Sequence, residues 1–350
     1  YYQGYMNCVT PMSQADATSL TIDAAAHQAH TQRGEFGNSD MRILSTITLL
    51  LLTAMLAFTT HAQEAGSPQK PLRVMLIPAD GGTEDGTKAD FQPLFDAITR
   101  SSDLHFTVST GQSYAAAIEA MCAGLTDVVW YGPASYIEAR DRGCAQLLAV
   151  EERNGSSTYY AGLFVAADSD VNSVFDLSGG SLALGSSHSA SSFAYPLVML
   201  REDGLDPLKD LSALRITGSH TNSLLALKNG LVDAAGASFV SFERAVNQGS
   251  LDPRAFRVLT KSKPIPNPPI AMNTALPADI KAKLKRAMAN VHEAEGIGPA
   301  AIRGYGGKLV DRYNTEVDET LFDSVISATS FLDDDYMAAI LRKADAAQRG

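Results

Sequence analysis

The sequence predicts an α/β fold with two lobes, each an open sheet flanked by helices. Strand-like and helix-like segments alternate in two series, one beginning near Leu72 and the other near Leu163. Alternation of this kind is typical of open α/β sheets, and two series predict two lobes. Most of the C-terminal part, residues 277–350, has helical periodicity.

The first series consists of short apolar runs separated by helix-like segments. We predict strands at 72–77, 105–108, 127–130 and 147–151, and helices at 91–98, at 114–123 and from Pro133 to about 142. A glycine-rich loop at 81–87 joins the first strand to the first helix.

The second series repeats this alternation. Strands are predicted at 163–166, 181–184, 213–217, 232–235 and 256–260, with helices beginning near Phe193 and spanning 221–228. Asn229-Gly230 ends the second of these helices with a left-handed stop. We expect the strand at 256–260 to return to the first lobe.

The N-terminal region has the pattern of an export signal. Met41-Arg42 is followed by an almost purely apolar run at 43–58 and by small residues at the two positions that a signal peptidase reads, 60 and 62, which predicts cleavage after Ala62 and a mature chain from about 63. Residues 1–40 precede this signal and are expected to lie outside the native protein. A retained membrane anchor is the alternative, and the absence of a cysteine after the run argues against a lipoprotein. The prediction is a periplasmic protein.

Charge and cysteine content narrow the functional classes. A formal net charge of −11 and a pI near 5.1 argue against binding to nucleic acid or to acidic membranes. Cys122 and Cys144 occur in an exported chain, where a disulfide is possible. Sequence alone does not show whether these two cysteines are close enough to pair, and their spacing does not resemble a metal site.

The segment at 181–200 is a candidate anion site. An apolar strand ends at Gly185, a hydroxyl-rich loop follows, and a helix begins near Phe193. The first N–H groups of a helix have no internal partner and carry partial positive charge, so they bind oxyanions. Ser189, Ser191 and Ser192 would add hydroxyl donors. Serines that only cap their own helix are the alternative.

Other polar residues follow predicted strands, where ligands bind in open α/β sheets. Tyr131 comes directly after one strand, His220 follows another and can donate or become charged, and Tyr114 opens a helix. Each of them is also compatible with a packing or capping role. The proline-rich stretch at 263–269 is compatible with a rigid loop at a cleft or with an extended partner-binding segment. We find no hydrolase elbow, phosphate-binding P-loop or zinc-protease motif, so the chain is not predicted to be an enzyme.

Several segments together resemble one family, the phosphate, phosphite and phosphonate-binding proteins of ABC transporters. The matching segments are YAAAIEA at 114–120, DVVWYGPASY at 127–136, GSH at 218–220, NGLVDAA at 229–235 and PIP at 264–266. The resemblance covers about 72–331. It implies the type 2 periplasmic binding fold, with 72–162 and 259–350 in lobe one, 163–258 in lobe two and a two-crossover hinge between them.

The resemblance also implies ligand contacts. The family loop usually reads Ser-Thr-Ser-Gly, and Ser189, Ala190 and Ser191 occupy it here, with Ala190 in place of threonine. Tyr114, Tyr131 and His220 would contact the anion as well. The loop is expected to recognise the oxyanion head of the ligand.

Two departures from the family pattern bear on the ligand. The positions where aminoalkylphosphonate binders place carboxylates hold Pro268 and Val240. We therefore expect phosphate, phosphite or a simple alkylphosphonate as ligand.

The implied role is capture of this anion by a monomer, without cofactor or metal, for an ABC transporter permease. A periplasmic sensing module for a membrane kinase is the alternative that the residues leave open. An enzyme on the same fold and a structural protein are less favoured.

Overall fold

The computed structural model describes residues 64–79 and 84–349. The predicted signal peptide at 41–62, the segment at 1–40 and part of the glycine-rich loop lie outside the described residues. Within the described part, no helix is long and apolar enough to cross a membrane.

The first sheet has the strand order β2-β1-β3-β12-β4-β13. Strands β1, β2 and β3 are parallel, whereas β12 runs antiparallel to both of its neighbours. This sheet comprises β1 Leu72–Leu76, β2 Phe106–Thr110, β3 Val128–Trp130, β4 Ala145–Glu152, β12 Pro269–Asn273 and β13 Arg312–Asn314. The helices around it are α1 Glu84–Ser101, α2 Tyr114–Cys122, α3 Pro133–Asp141 and α7 Ala278–Asn290.

The second sheet has the order β10-β6-β9-β7-β8. Strands β8, β7 and β9 are parallel, β6 runs antiparallel to β9, and β10 runs antiparallel to β6. Its strands are β6 Ala161–Ala166, β7 Ser181–Leu184, β8 Ala213–Ile216, β9 Ala234–Ser238 and β10 Phe256–Lys261. Helices α4 Tyr195–Glu202, α5 His220–Lys228 and α6 Phe239–Asn247 follow three of these strands.

Two chain segments connect the sheets. The first runs from β4 to β6 through β5, Thr158–Tyr159, and the second runs from β10 to β12 through β11, Ile265–Pro266. Strands β5 and β11 pair with each other in antiparallel register. The predicted two-lobed α/β fold with a two-crossover hinge is confirmed, and the hinge is a hydrogen-bonded ribbon.

One prediction about the second crossover was wrong. The strand at 256–261 does not return to the first lobe, because it pairs with β6 in the second sheet. The returning strand is β12, which begins at Pro269, the last residue of the proline-rich stretch. Proline is tolerated at the first position of a strand because the amide hydrogen that it lacks is not required there.

The last helix, α9 Asp334–Arg349, lies against β8 of the second sheet. Lys343 Nζ donates to the carbonyl oxygens of Leu208 at 2.7 Å and Leu211 at 2.5 Å. The guanidinium of Arg201, on α4, sits 4.5 Å from the ring centre of Phe331. The predicted grouping of all of 259–350 with lobe one is therefore wrong for α9. Helix α8, Asp323–Thr329, precedes it.

Smaller differences concern element boundaries. Helix α1 begins at Glu84 rather than at 91, β9 begins two residues later than predicted, and α6 was not predicted. The segment of α6 is short and follows a strand of small residues, so its sequence lacks a long helical period.

Cys122 and Cys144 form a disulfide, with their Cα atoms 4.8 Å apart. It joins the end of α2 to the start of β4 inside the first lobe. A cross-link that closes a loop of 22 residues removes conformational freedom mainly from the unfolded chain.

We expect replacement of both cysteines by serine to lower the free energy of unfolding by about 3 kcal/mol. Urea unfolding of the variant and the oxidised wild type measures this difference. Wild type treated with reductant should match the variant. Equal stability of all three samples would contradict the expectation.

Candidate functional site

A small cavity lies where the carboxyl ends of strands from both sheets meet. It is narrow, with a volume of about 10 Å³. Its walls combine turns that follow strands with the hinge and a C-terminal loop. The lining residues are Ala79, Tyr114, Trp130, Gly132, Tyr159, Ser189, Ser191, His220, Pro268 and Tyr305.

The serine loop forms one wall. Ser189 caps a π-helical turn, Ala190–Ala194, which continues directly into α4. The Ser189 hydroxyl oxygen accepts a hydrogen bond from the Ser192 N–H at 3.2 Å. The N–H groups of Ala190 and Ser191 donate to no residue that the structure describes. This end of the helix therefore offers backbone donors together with two hydroxyl groups.

Close packing holds the serine loop against β7. A side chain on Gly185 would place its Cβ 2.1 Å from Ser192 Oγ, so the loop can approach the strand only because this residue is glycine. Ser191 is 1% exposed, and its hydroxyl oxygen accepts from the Tyr159 hydroxyl at 3.0 Å. The Ser191 hydroxyl hydrogen remains available as a donor.

His220 is locked in one protonation state. Its ring is 1% exposed, and Nδ1 accepts a hydrogen bond from the Ser238 backbone N–H at 2.9 Å. Because Nδ1 is an acceptor, the proton of the neutral ring lies on Nε2, which is 3.5 Å from the Tyr305 hydroxyl. Burial lowers the pKa of His220 to about 3. The sequence suggested a histidine that can become charged, but the structure presents a neutral Nε2–H donor.

Trp130 and Tyr114 form the wall contributed by the first lobe. Trp130, the last residue of β3, is 3% exposed, and its indole Nε1–H is buried without a partner among the described residues. Tyr114, the first residue of α2, is also buried and touches Gly132, where a Cβ would lie 3.3 Å from the tyrosine ring.

Tyr131 does not reach the cavity. Successive residues of a strand point to opposite faces, so Trp130 faces the cleft and Tyr131 faces away from it. The Tyr131 hydroxyl instead donates to the Ala117 carbonyl oxygen at 3.3 Å, and burial raises its pKa above the usual range. The structure therefore does not bring Tyr131 to the cavity at which its ligand contact was predicted.

Tyr305 reaches the cavity from a distant part of the chain. Its ring lies 5.5 Å from the ring centre of Trp130 and 5.7 Å from that of Tyr159. Its hydroxyl is within 2.8 Å of Ser238 Oγ and 2.6 Å of Ser241 Oγ, both at the start of α6. A residue that lies between two strands of the first sheet, β12 and β13, thus bonds to the second lobe.

The structure brings together four of the six predicted site residues, Tyr114, Ser189, Ser191 and His220. Ala190 lies at the first turn of the serine-loop helix with an open N–H, and its side chain is not in the cavity wall. Trp130, Tyr159 and Tyr305 were missed. Strand alternation could have identified Trp130, and the glycine-flanked turn RGYGG at 303–307 was a signal for Tyr305.

No Lys, Arg, Asp or Glu is among the described residues that line the cavity. The polar groups there are hydroxyls, amides, one indole and one neutral imidazole. Such a set can stabilise an anion by converging hydrogen bonds, which are stronger when the acceptor is charged and water is excluded. It provides no nucleophile with an adjacent base and no obvious metal ligands.

Polar contacts span the cleft beside the cavity. Asp90 on α1 forms an ion pair with Arg244 on α6, and Glu138 Oε2 on α3 lies 2.8 Å from His188 Nδ1. The His220 backbone N–H also donates to the Ala79 carbonyl oxygen at 3.3 Å. The lobes are therefore in a closed arrangement.

Comparison with known proteins gives a consistent result. The family profile described as "ABC transporter, phosphonate, periplasmic substrate-binding protein" matches residues 82–308. The phosphate-import protein PhnD of Mycolicibacterium smegmatis is 28% identical over 225 residues, which are 61% of this chain and 70% of that protein. The phosphonates-binding periplasmic protein of Escherichia coli is 26% identical over 248 residues, covering 68% and 72%.

A solved structure extends the comparison to the fold. A binding protein component of an ABC phosphonate transporter from Pseudomonas aeruginosa superposes with a TM-score of 0.64 at 20% identity. The superposition covers 80% of this chain and 95% of the other.

We expect His220 to stay neutral in the folded protein between pH 5 and 8, while its pKa in the unfolded chain returns to about 6.5. The unfolded chain then binds a proton that the folded chain does not. The stability that depends on the neutral ring is present above pH 6.5 and is lost as the pH falls toward 3, by at most about 1.4 kcal/mol per pH unit.

Urea unfolding at several pH values, on wild type and His220→Asn, measures this contribution. The variant should lose less stability on acidification. Ring resonances of His220 that titrate with a pKa of about 6.5 in the folded protein would contradict the expectation.

Proposed function

The chain belongs to the family of phosphonate-binding periplasmic substrate-binding proteins of ABC transporters, and from this premise we propose that it captures phosphate, phosphite or methylphosphonate for import. The family consists of binding proteins that deliver a phosphonate or phosphate ligand to a permease, and not of enzymes. No chemical step is required of the site.

The observation that carries the proposal is the convergence of open donors on one small cavity. The Ser191 N–H and the Trp130 indole N–H have no partner among the described residues, and the His220 Nε2–H has only the Tyr305 hydroxyl, 3.5 Å away. These donors belong to different elements of both lobes. Buried donors without partners are costly. An oxyanion between them would accept several of these hydrogen bonds at once, so binding and lobe closure stabilise each other.

The size of the cavity and the nature of its walls favour a compact ligand. Trp130, Tyr159 and Tyr305 surround it with rings, and Pro268 adds a rigid apolar side. An ammonium group entering this space would meet no carboxylate among the described lining residues and would lose its hydration. Val240 occupies the second position at which aminoalkylphosphonate binders of the family place a carboxylate. It is not among the residues that line the cavity.

Related proteins bind ligands of this class. One relative is named for the import of phosphate and another for the binding of phosphonates. These names support a phosphorus oxyanion, and the cavity supports the smallest members of that class.

We expect Ser189→Ala to weaken phosphate binding by roughly ten- to a hundredfold, because a hydrogen bond to a charged ligand is lost. Isothermal calorimetry measures the affinity. Ser219→Ala is a matched control, since Ser219 is buried, lies in the same lobe and caps α5 with a bond of the same 3.2 Å length. Both variants should lose about 1 kcal/mol of stability through the cap. Equal affinities in the two variants would place the anion elsewhere.

We expect 2-aminoethylphosphonate to bind at least about tenfold more weakly than ethylphosphonate, which matches it in chain length but lacks the amine. Competition calorimetry against phosphate gives both affinities. Pro268→Asp should reduce the difference in affinity between the two phosphonates, because its carboxylate can pair with the ammonium group. Tighter binding of the amine in wild type would refute the proposed ligand class.

A further inference from the structure

A loop of the C-terminal part reaches across the cleft. Residues 304–308, which we call the clasp loop, contact the start of α6 in the second lobe through two side chains. The Tyr305 hydroxyl bonds to Ser238 Oγ and Ser241 Oγ. Lys308 forms an ion pair with Glu243 on the next turn of α6.

The backbone of the clasp loop also approaches its neighbours closely. A Cβ on Gly306 would lie 2.7 Å from Val240 Cγ1, and one on Gly307 would lie 2.6 Å from Asp90 Oδ1. Both glycines have φ of +69°, which other residues rarely adopt. The loop therefore has one closely fitted position between α1 and α6.

Glu151 fixes this position from inside the first lobe. Its side chain is 3% exposed, and Oε2 accepts a hydrogen bond from the Tyr305 backbone N–H at 2.7 Å. Arg153 contacts the other carboxylate oxygen at 3.4 Å and donates from Nε to the Leu309 carbonyl oxygen at 3.1 Å. Glu151 and Arg153 thus bind the clasp loop at Tyr305 and the chain directly after it at Leu309.

Burying a carboxylate costs free energy, so the presence of Glu151 inside the first lobe needs an explanation. Burial raises the pKa of Glu151, whereas Arg153, the Tyr305 amide and Lys308 favour the charged form. Gly304 leaves no room for a side chain, since a Cβ there would lie 1.7 Å from Glu151 Oε2. Replacing a buried ion pair by apolar residues often costs no stability. The presence of Glu151 at this buried position is thus better explained by its contact with the clasp loop than by a contribution to the overall stability of the fold.

We propose that Glu151 is a positioning residue, which holds the clasp loop so that Tyr305 can close the cleft over the ligand. Glu151 does not line the cavity and acts only through the loop. The ligand part of this inference rests on the proposed function, whereas the closure part does not.

The test compares four variants with wild type: Glu151→Gln, Tyr305→Phe, the double variant, and Glu152→Gln as the matched control. Glutamine keeps the shape of Glu151 but brings an amide N–H₂ against either Arg153 or the Tyr305 amide. Glu152 is the next residue of the same strand, and its carboxylate bonds to Arg312 at 3.0 Å within the first sheet. Phosphate affinity by calorimetry and the radius of gyration by X-ray scattering are measured for each.

We expect Glu151→Gln and Tyr305→Phe each to weaken phosphate binding by about tenfold or more. The double variant should be no weaker than the worse single variant, because both changes disable the same contact. Both variants should also expand the unliganded protein, and Glu152→Gln should match wild type in both measurements.

Two results would overturn the inference. One is wild-type affinity and wild-type radius of gyration in Glu151→Gln, and the other is losses that multiply in the double variant. If wild type binds none of the phosphorus oxyanions, the proposed function fails. Scattering of the unliganded variants then decides the role of Glu151 alone.

Discussion

The proposed anion site depends on one constraint, which is that an anion held without a cation must be surrounded by hydrogen-bond donors that all point inward. Two sheets meeting at the carboxyl ends of their strands satisfy it, because the end of β3 and the turns after β7 and β8 bring N–H or hydroxyl groups to the cleft. The hydrogen bond from the Ser238 N–H to His220 Nδ1 contributes to this set of donors. By occupying Nδ1, it makes the imidazole a donor on the cavity side without placing a charge there.

The same constraint makes binding and closure a single event. Serine-loop and histidine donors belong to the second lobe, the indole to the first, and Tyr305 to a loop that bonds across the cleft. Neither lobe alone contains the complete set. The affinity for a ligand therefore depends on whether the donors of both lobes can close around it. A ligand with a substituent that keeps the lobes apart loses hydrogen bonds to both lobes.

The sequence was sufficient for those parts of the site that are local. Strand, loop and helix start are contiguous around Ser189, and the turn before His220 has the same form, so their chemistry could be predicted. The sequence analysis predicted Tyr131 as a ligand contact because it directly follows a strand. It did not consider that side chains alternate between the two faces of a strand, which would have favoured Trp130. Tyr305 is distant in sequence from the other residues of the cavity, and Glu151 is distant from the clasp loop, so only tertiary packing brings each of them into place. The contribution of α9 to the second lobe escaped prediction for the same reason.

The path of the chain has a consequence for how the protein matures. The first sheet is complete only when β12 and β13 have joined strands from the beginning of the chain, and the second sheet is covered by the last helix. A ribosome or a secretion channel that releases the chain from its N-terminus therefore cannot release a finished lobe before the C-terminal residues have emerged. Pairings between such distant segments form slowly. The order of the elements thus delays the completion of both lobes until the C-terminal residues are present.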